Sequence, residues 1–285
     1  MSYRYLPAQL HATADATMDF FRDSFGLQNA RVEEEINKKL GYRPTLHWLT
    51  RQGYLVCVDV RESPFSPTLE SVVSDCMQQC LPVKLFVAFP GKPDVPDYKR
   101  NSDRAREKGV GVVEVTDAGC AVVYEALPLS LIGVRPIDKK LYPPKYRSDL
   151  AHAEATFKSG SPEKGCSLLY DEIEDLSRKI GEKTRSKGLW RAPKPGENLP
   201  MSQFNKGQWR PKMELLMLWL DWRKCKYLKD SLQRVVSVIP HRNESGHKPA
   251  TLEVRIRRDR EIKTRFEAAA DLLLDLITAA RPLRV

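Results

Sequence analysis

Within "IPHRNESGHKP", residues 239–249, Arg242, Asn243 and His247 stand at R-N-x3-H spacing. Imidazole is the side-chain type that titrates near pH 7 unperturbed, so His247 is suited to give or take a proton. A guanidinium is permanently charged and forked, which suits Arg242 to the oxygens of a phosphate. Asn243 is able to orient either group by hydrogen bonding. Together they fit phosphodiester cleavage without a metal, in which a 2′-OH attacks the adjacent phosphate. DNA lacks that hydroxyl, so the chemistry points to RNA. Lys248, Arg255, Arg257 and Arg258 follow, and the run "RIRRDREIKTR", Arg255 to Arg265, is read as a phosphate track rather than a solvated helix face. His241 is read as a solvent-facing neighbour. A non-catalytic reading stands beside this one: Arg242 pairs with Glu244 or a helix end, and His247 caps a turn.

Helices have to position these groups. Arg147 to Lys158 and Glu163 to Lys183 carry helical patterns around the turn "SGSP", where Ser161 and Pro162 form a helix start. Pro211 to Ile239 reads as one long helix, with Leu215, Leu218, Trp219, Trp222, Leu228, Leu232, Val235 and Val236 on a broad apolar face. Arg257 to Ala280 reads as the last helix. Four helices without a strand of note imply an all-α bundle, with the Arg/His stretch between its third and fourth members. Lys187 to Gln208, with three prolines and three glycines, reads as a loop. Trp190, Phe204 and Trp209, in or beside that loop, are placed either to stack on bases or to anchor the loop on the bundle.

The charge distribution agrees with a polyanionic partner. Met1 to Tyr146 holds 19 Lys+Arg against 18 Asp+Glu, whereas Arg147 to Val285 holds 28 against 19, so the net charge of +10 belongs almost wholly to the second half. Solubility alone is the bland explanation of such an excess. The first thirty residues carry no signal pattern, and the longest apolar run, Leu215 to Leu220, is too short to span a bilayer. The expectation is a soluble cytoplasmic protein. Six cysteines in 285 residues do not make a disulfide scaffold. Cys76 and Cys80 lack a second Cys/His pair at zinc spacing, so no metal and no cofactor are expected.

"RNESGH" resembles the R-x4-6-H motif of the HEPN superfamily, and "FKSGSPEKGCSLLYDEIEDLSRKIG" is similar to that superfamily's early helices, with Glu172 and Glu174 on the helix that packs the core. The resemblance covers roughly Arg147 to Val285. It implies a metal-independent endoribonuclease acting as a homodimer, with two motifs meeting in one shared site. Many domains of this type serve instead as dimerisation or RNA-docking modules.

The N-terminal half alternates helix and strand. A helical stretch runs from Ala14 to Leu40. "TLHWLTRQG" and "YLVCVDVRE" read as adjacent strands with a turn around Gln52 and Gly53. "TLESVVSDCMQQ" reads as a helix, "VKLFVAFP" as a buried strand, and "YKRNSDRAREKG" as a charged helix closed by Gly109. "VGVVEVT" and "CAVVYEA" complete a mixed sheet flanked by helices, an α/β domain. This order, over roughly Ala14 to Ala126, loosely resembles the restriction-endonuclease-like, or PD-(D/E)XK, fold. The motif positions read Pro44-Thr45 and Asp59-Val60-Arg61, so Thr45 stands for the first carboxylate and Arg61 for the lysine. A Mg²⁺-dependent nuclease needs at least two carboxylates. Glu62 or one of Glu33 to Glu35 are the substitutes within reach in sequence. Asp59 and Arg61 are read as a charged pair at a strand end, and the domain as an inactive relative that binds nucleic acid or a partner protein.

The expected organisation is an α/β domain at 1–135, a Pro- and Lys/Arg-rich linker at 136–146, and a helical bundle at 147–285. The leading functional expectation is RNA cleavage of a bacterial defence or toxin type. Its rivals are a non-catalytic nucleic-acid-binding or assembly subunit and a Mg²⁺-dependent DNA nuclease centred on Asp59.

Overall fold

In a computed structural model, residues 3–38, 40–91, 97–191, 208–242 and 251–285 are described, with the backbone alone at 241 and 242. The chain divides into two compact units. The first comprises residues 1–134, 158–160 and 247–261, and the second residues 135–157, 161–246 and 262–285.

The first unit holds α1 (His11–Phe25), β1 (Arg31–Val32), β2 (Leu46–Leu49), β3 (Leu55–Val60), α2 (Pro67–Gln78), β4 (Val83–Pro90), α3 (Tyr98–Glu107), β5 (Gly111–Thr116), β6 (Gly119–Tyr124) and α4 (Leu129–Ile132). The six strands lie in sequence order in one mixed sheet. β1, β2 and β3 run antiparallel, β3, β4 and β5 run parallel, and β6 returns antiparallel to β5. Strands buried on both faces are apolar at successive positions, which explains "LVCV" and "LFVAF". Alternation then sorts the side chains. Val56, Val58, Phe86 and Ala88 face α1 with Phe21 and Trp48, whereas Leu55, Cys57, Leu85 and Val87 pack against Leu69, Val73 and Cys76 of α2.

The helix expected over Ala14 to Leu40 stops at Phe25. Gly26 closes it in the left-handed conformation at φ 65°, its N–H donating to the Phe21 carbonyl. Glu33 also takes a positive φ, of 51°. The chain beyond forms the edge strand β1 on β2.

The second unit holds α5 (Pro144–Lys158), α6 (Pro162–Ser186), α7 (Trp209–Trp219), α8 (Lys226–Arg242) and the later turns of α9 (Leu252–Ala280). Pro162 opens α6 at its first turn, but the Ser161 side chain makes no capping hydrogen bond. Gly165 lets α6 approach α5, because a Cβ there would lie 2.7 Å from the Phe157 side chain. Phe157 in turn packs on Phe266 with ring centroids 4.4 Å apart. Leu169, Ile173, Leu228, Leu232, Val235 and Leu273 are buried among them.

Two expectations are corrected here. The single helix expected over Pro211 to Ile239 is two helices, parted at Leu220, whose backbone is extended. The break is made by a distant segment: Arg191 N–H donates to the Trp219 carbonyl and Asp221 N–H to that of Leu189. The stretch expected as a linker, 136–146, is packed. Ile137, Tyr142 and Tyr146 are buried, and the Tyr142 hydroxyl donates to the Ala270 carbonyl.

Candidate functional site

The candidate residues fall in two places. The first lies at the end of β3. Because β2 and β3 are antiparallel, with Leu46 opposite Val58, the start of one strand adjoins the end of the other. Thr45 Oγ1 accepts from the Val60 N–H at 3.1 Å. Asp59 projects on the α2 face of the sheet, by the same alternation that places Leu55 and Cys57 there. Arg61 grips it, with Nη2 and Nε 2.9 and 3.3 Å from Oδ2, while Nη1 donates to the Ser66 hydroxyl at 2.8 Å. Burial pushes the Asp59 carboxyl above the ordinary carboxylate range, against the charge and hydrogen bonds of Arg61.

A cleft of about 810 Å³ opens over this pair, walled by Tyr5, Leu10, Arg43 and the carboxylates Glu33 and Glu62. Those carboxylates are engaged. Glu33 accepts from the backbone N–H groups of Arg4, Tyr5 and Leu6 at 2.5, 2.9 and 2.8 Å, and Glu62 accepts from the Gln9 amide at 3.0 Å. Hydrated Mg²⁺ is held through carboxylate oxygens free to face it. Among the described residues no three His, Cys, Asp or Glu side chains converge as ligands. The residues at this cleft therefore do not fit the divalent ion that the PD-(D/E)XK resemblance implies.

The second place is the connection between α8 and α9. Arg242 is the last residue of α8, two positions beyond Pro240, and α9 opens at Leu252. The catalytic expectation therefore straddles the edge of the described residues. Asn243, His247 and Lys248 lie outside them, as do the side chains of His241 and Arg242.

The arginines that follow divide by helical phase. Arg255 is buried, its guanidinium carbon 4.0 Å from the centroid of the Tyr54 ring and its Nη2 donating to the Tyr54 hydroxyl. It is ion-paired with Asp259 at 2.8 Å, and Asp259 Oδ2 accepts from the Ser130 hydroxyl at 2.5 Å. Burial lowers the Arg255 pKa, against the pull of Asp259. This corrects the expectation that Arg255 contacts phosphate: its charge is committed inside the first unit. Arg257 points outward and reaches Glu261 at 3.9 Å, and Arg258 is half-buried. The signal was present in the sequence. Leu252, Ile256, Asp259 and Ile262 mark an inward stripe at helical spacing, and Arg255 falls on it.

Of the two roles held open for the tryptophans, the contacts seen are those of anchors. Trp190 donates to Thr184 Oγ1 at 2.9 Å and packs on Trp219 at 5.5 Å, and Trp209 is buried. Phe204 lies outside the described residues. Glu172 is half-buried on α6, its pKa raised first by burial and then by Asp149 and Asp175. Glu174 lines a small cleft of about 170 Å³ with Trp209 and Lys212. All six cysteines are free thiols. Among the described residues no helix is long and apolar enough to cross a membrane.

Comparison with protein-family models, with curated proteins and with solved structures finds no match to this chain.

Proposed function

We propose that the chain is a metal-independent endoribonuclease that cuts RNA at the α8–α9 connection. One observation supports this above others: Arg242 ends α8 and α9 opens at Leu252, so the R-N-x3-H motif falls in the link between two helices of the basic half of the chain. In this reading a ribose 2′-OH attacks the adjacent phosphorus, and the bond from phosphorus to the 5′-oxygen breaks. His247 moves the proton, Arg242 meets the charge that develops on the phosphate oxygens, and Asn243 orients one of them. The products are a 2′,3′-cyclic phosphate and a 5′-hydroxyl. A homodimer sharing one site between two motifs, in a cytoplasmic defence or toxin role, belongs to the same proposal.

The six-stranded sheet domain with its Asp59 cleft is proposed to bind nucleic acid or a protein rather than to cut. The grip of Arg61 on Asp59 and the engagement of Glu33 favour this over Mg²⁺-dependent DNA cleavage. A wholly non-catalytic binding or assembly subunit is the second reading, favoured by the withdrawal of Arg255 from the phosphate track.

RNA incubated with the protein in EDTA separates the readings. Cleavage that persists in EDTA and disappears in His247→Ala and Arg242→Ala is expected. Salt-sensitive RNA binding without any cleavage establishes the second reading. Cutting of DNA that requires Mg²⁺ and Asp59 overturns both.

A further inference from the structure

The first unit has another cleft, at the opposite end of β3 from Asp59. It occupies about 750 Å³ where α1 ends and the β2–β3 turn begins. Three rings run into it nearly parallel: Phe25 on Phe21 with centroids 5.2 Å apart and planes at 24°, and Phe21 on Trp48 at 5.5 Å and 23°. The inner two are buried, but Phe25, at the open end of the stack, is 44% exposed, and Leu49 beside the cleft is 55% exposed. Two cations line the same space, Arg51 in the turn and Lys84 at the start of β4, the latter 5.7 Å from the centroid of the Tyr54 ring. No carboxylate lines the cleft, and neither Arg51 nor Lys84 is ion-paired among the described residues. Gln28 and Gln52 also line it, each carrying both a donor and an acceptor.

An open aromatic face beside two unneutralised cations is the arrangement that takes a flat aromatic ring joined to an anion. We propose that this cleft binds a nucleotide unit. The base lies on Phe25 against Leu49, the phosphate lies between Arg51 and Lys84, and Gln28 or Gln52 meets the base edge. The absence of carboxylates disfavours a cationic aromatic ligand, the two cations favour an anionic one over a neutral one, and the exposed ring disfavours a bare inorganic anion. The inference does not depend on RNA cleavage at the α8–α9 connection. The nucleotide is either free or one member of a single strand.

The full chain carrying His247→Ala, kept in EDTA, removes cleavage from the measurement. Its affinity for a fluorescein-labelled oligouridylate is read by anisotropy, and its affinities for AMP, UMP and inorganic phosphate by calorimetry. Phe25→Ala and Arg51→Glu are then introduced separately. Both residues are exposed, and circular dichroism verifies that each variant is folded; Arg51→Gln replaces any that is not. Each substitution is expected to weaken binding about tenfold. Loss confined to the oligonucleotide assigns the cleft to a strand, and loss with AMP or UMP assigns it to a free nucleotide. Unchanged affinity for both in both variants overturns the proposal, as does inorganic phosphate binding as tightly as AMP. Because the cleaving histidine is already gone, failure here leaves the proposed ribonuclease untouched.

Discussion

Arg255 and Asp259, one turn apart on α9, form an ion pair at 2.8 Å with side chains only 8% and 1% exposed. Tyr54 and Ser130 complete the cluster from elsewhere in the first unit. A buried charge stripped of its partner is strongly destabilising, whereas replacing both partners by apolar groups of similar volume is often neutral. Arg255→Ala is therefore expected to lower stability by roughly 3–5 kcal/mol. Arg255→Met combined with Asp259→Leu is expected to lower it far less. Arg257→Ala, on the outward face, should leave stability within about 0.5 kcal/mol and reduce the salt dependence of RNA binding. Urea unfolding and binding titrations at several salt concentrations measure both. A weaker salt slope in Arg255→Ala with stability intact would return that arginine to the phosphate track.

The Asp59–Arg61 pair predicts a pH signature. Burial holds the folded-state pKa of Asp59 above its unfolded value, so the native state keeps this proton to higher pH than the unfolded state does. The contribution of Asp59 to stability consequently falls as pH rises from about 4 through the raised folded value, since ionisation is harder in the folded protein. Arg61 opposes the shift, so Arg61→Ala is expected to raise the folded value further and extend the decline to higher pH. Asp59→Asn should flatten this part of the profile. Unfolding free energies between pH 3 and pH 8 for the three proteins test it, and a wild-type profile that rises across the window where Asp59→Asn is flat would reverse the assignment.

What the sequence disclosed follows from how local each determinant is. β3 and β4 were legible because burial on both faces demands unbroken apolar runs, and "LVCV" and "LFVAF" are such runs between turn signals. The end of α1 was not, because helix-favouring Glu and Lys residues continue to Leu40, while Gly26 and the three amides bound by Glu33 impose a different path. The break between α7 and α8 is invisible in the apolar period, which continues across it; pairing with residues 189–191 creates it from about thirty residues away. Arg255 was misjudged by residue type when its phase beside Leu252 and Ile256 placed it inward. At the Asp59 cleft, the departures of Thr45 and Arg61 from the PD-(D/E)XK pattern pointed to a charged pair, and the pair is there. The connection that carries His247 lies outside the described residues.

Glu33 gathers the N–H groups of Arg4, Tyr5 and Leu6, which fastens the segment before α1 to the cleft wall. Hydrogen bonds to a charged acceptor contribute about 1.5–3 kcal/mol each when buried and less when partly exposed, as here. Glu33→Ala is expected to lower stability by about 1–3 kcal/mol and to abolish hydrogen-exchange protection at residues 4–6. Glu33→Gln, which keeps an acceptor oxygen, should recover part of both. Protection that persists in Glu33→Ala would mean that another contact holds the segment.

A shared site predicts complementation between inactive chains. If each RNA-cleaving centre draws its arginine and histidine from different copies, Arg242→Ala and His247→Ala proteins are each inactive alone. Mixed under conditions that exchange subunits, about half of the dimers contain one chain of each kind. One of the two half-sites in such a dimer then retains a complete Arg/His set, so EDTA-resistant RNA cleavage should reappear at a fraction of the wild-type rate. Two covalently linked copies bearing the mutations in opposite halves should behave alike without any exchange. Activity that never returns, together with a monomeric mass in solution, would place the chemistry within one chain; wild-type cleavage unaffected by either substitution would remove Arg242 and His247 from it altogether.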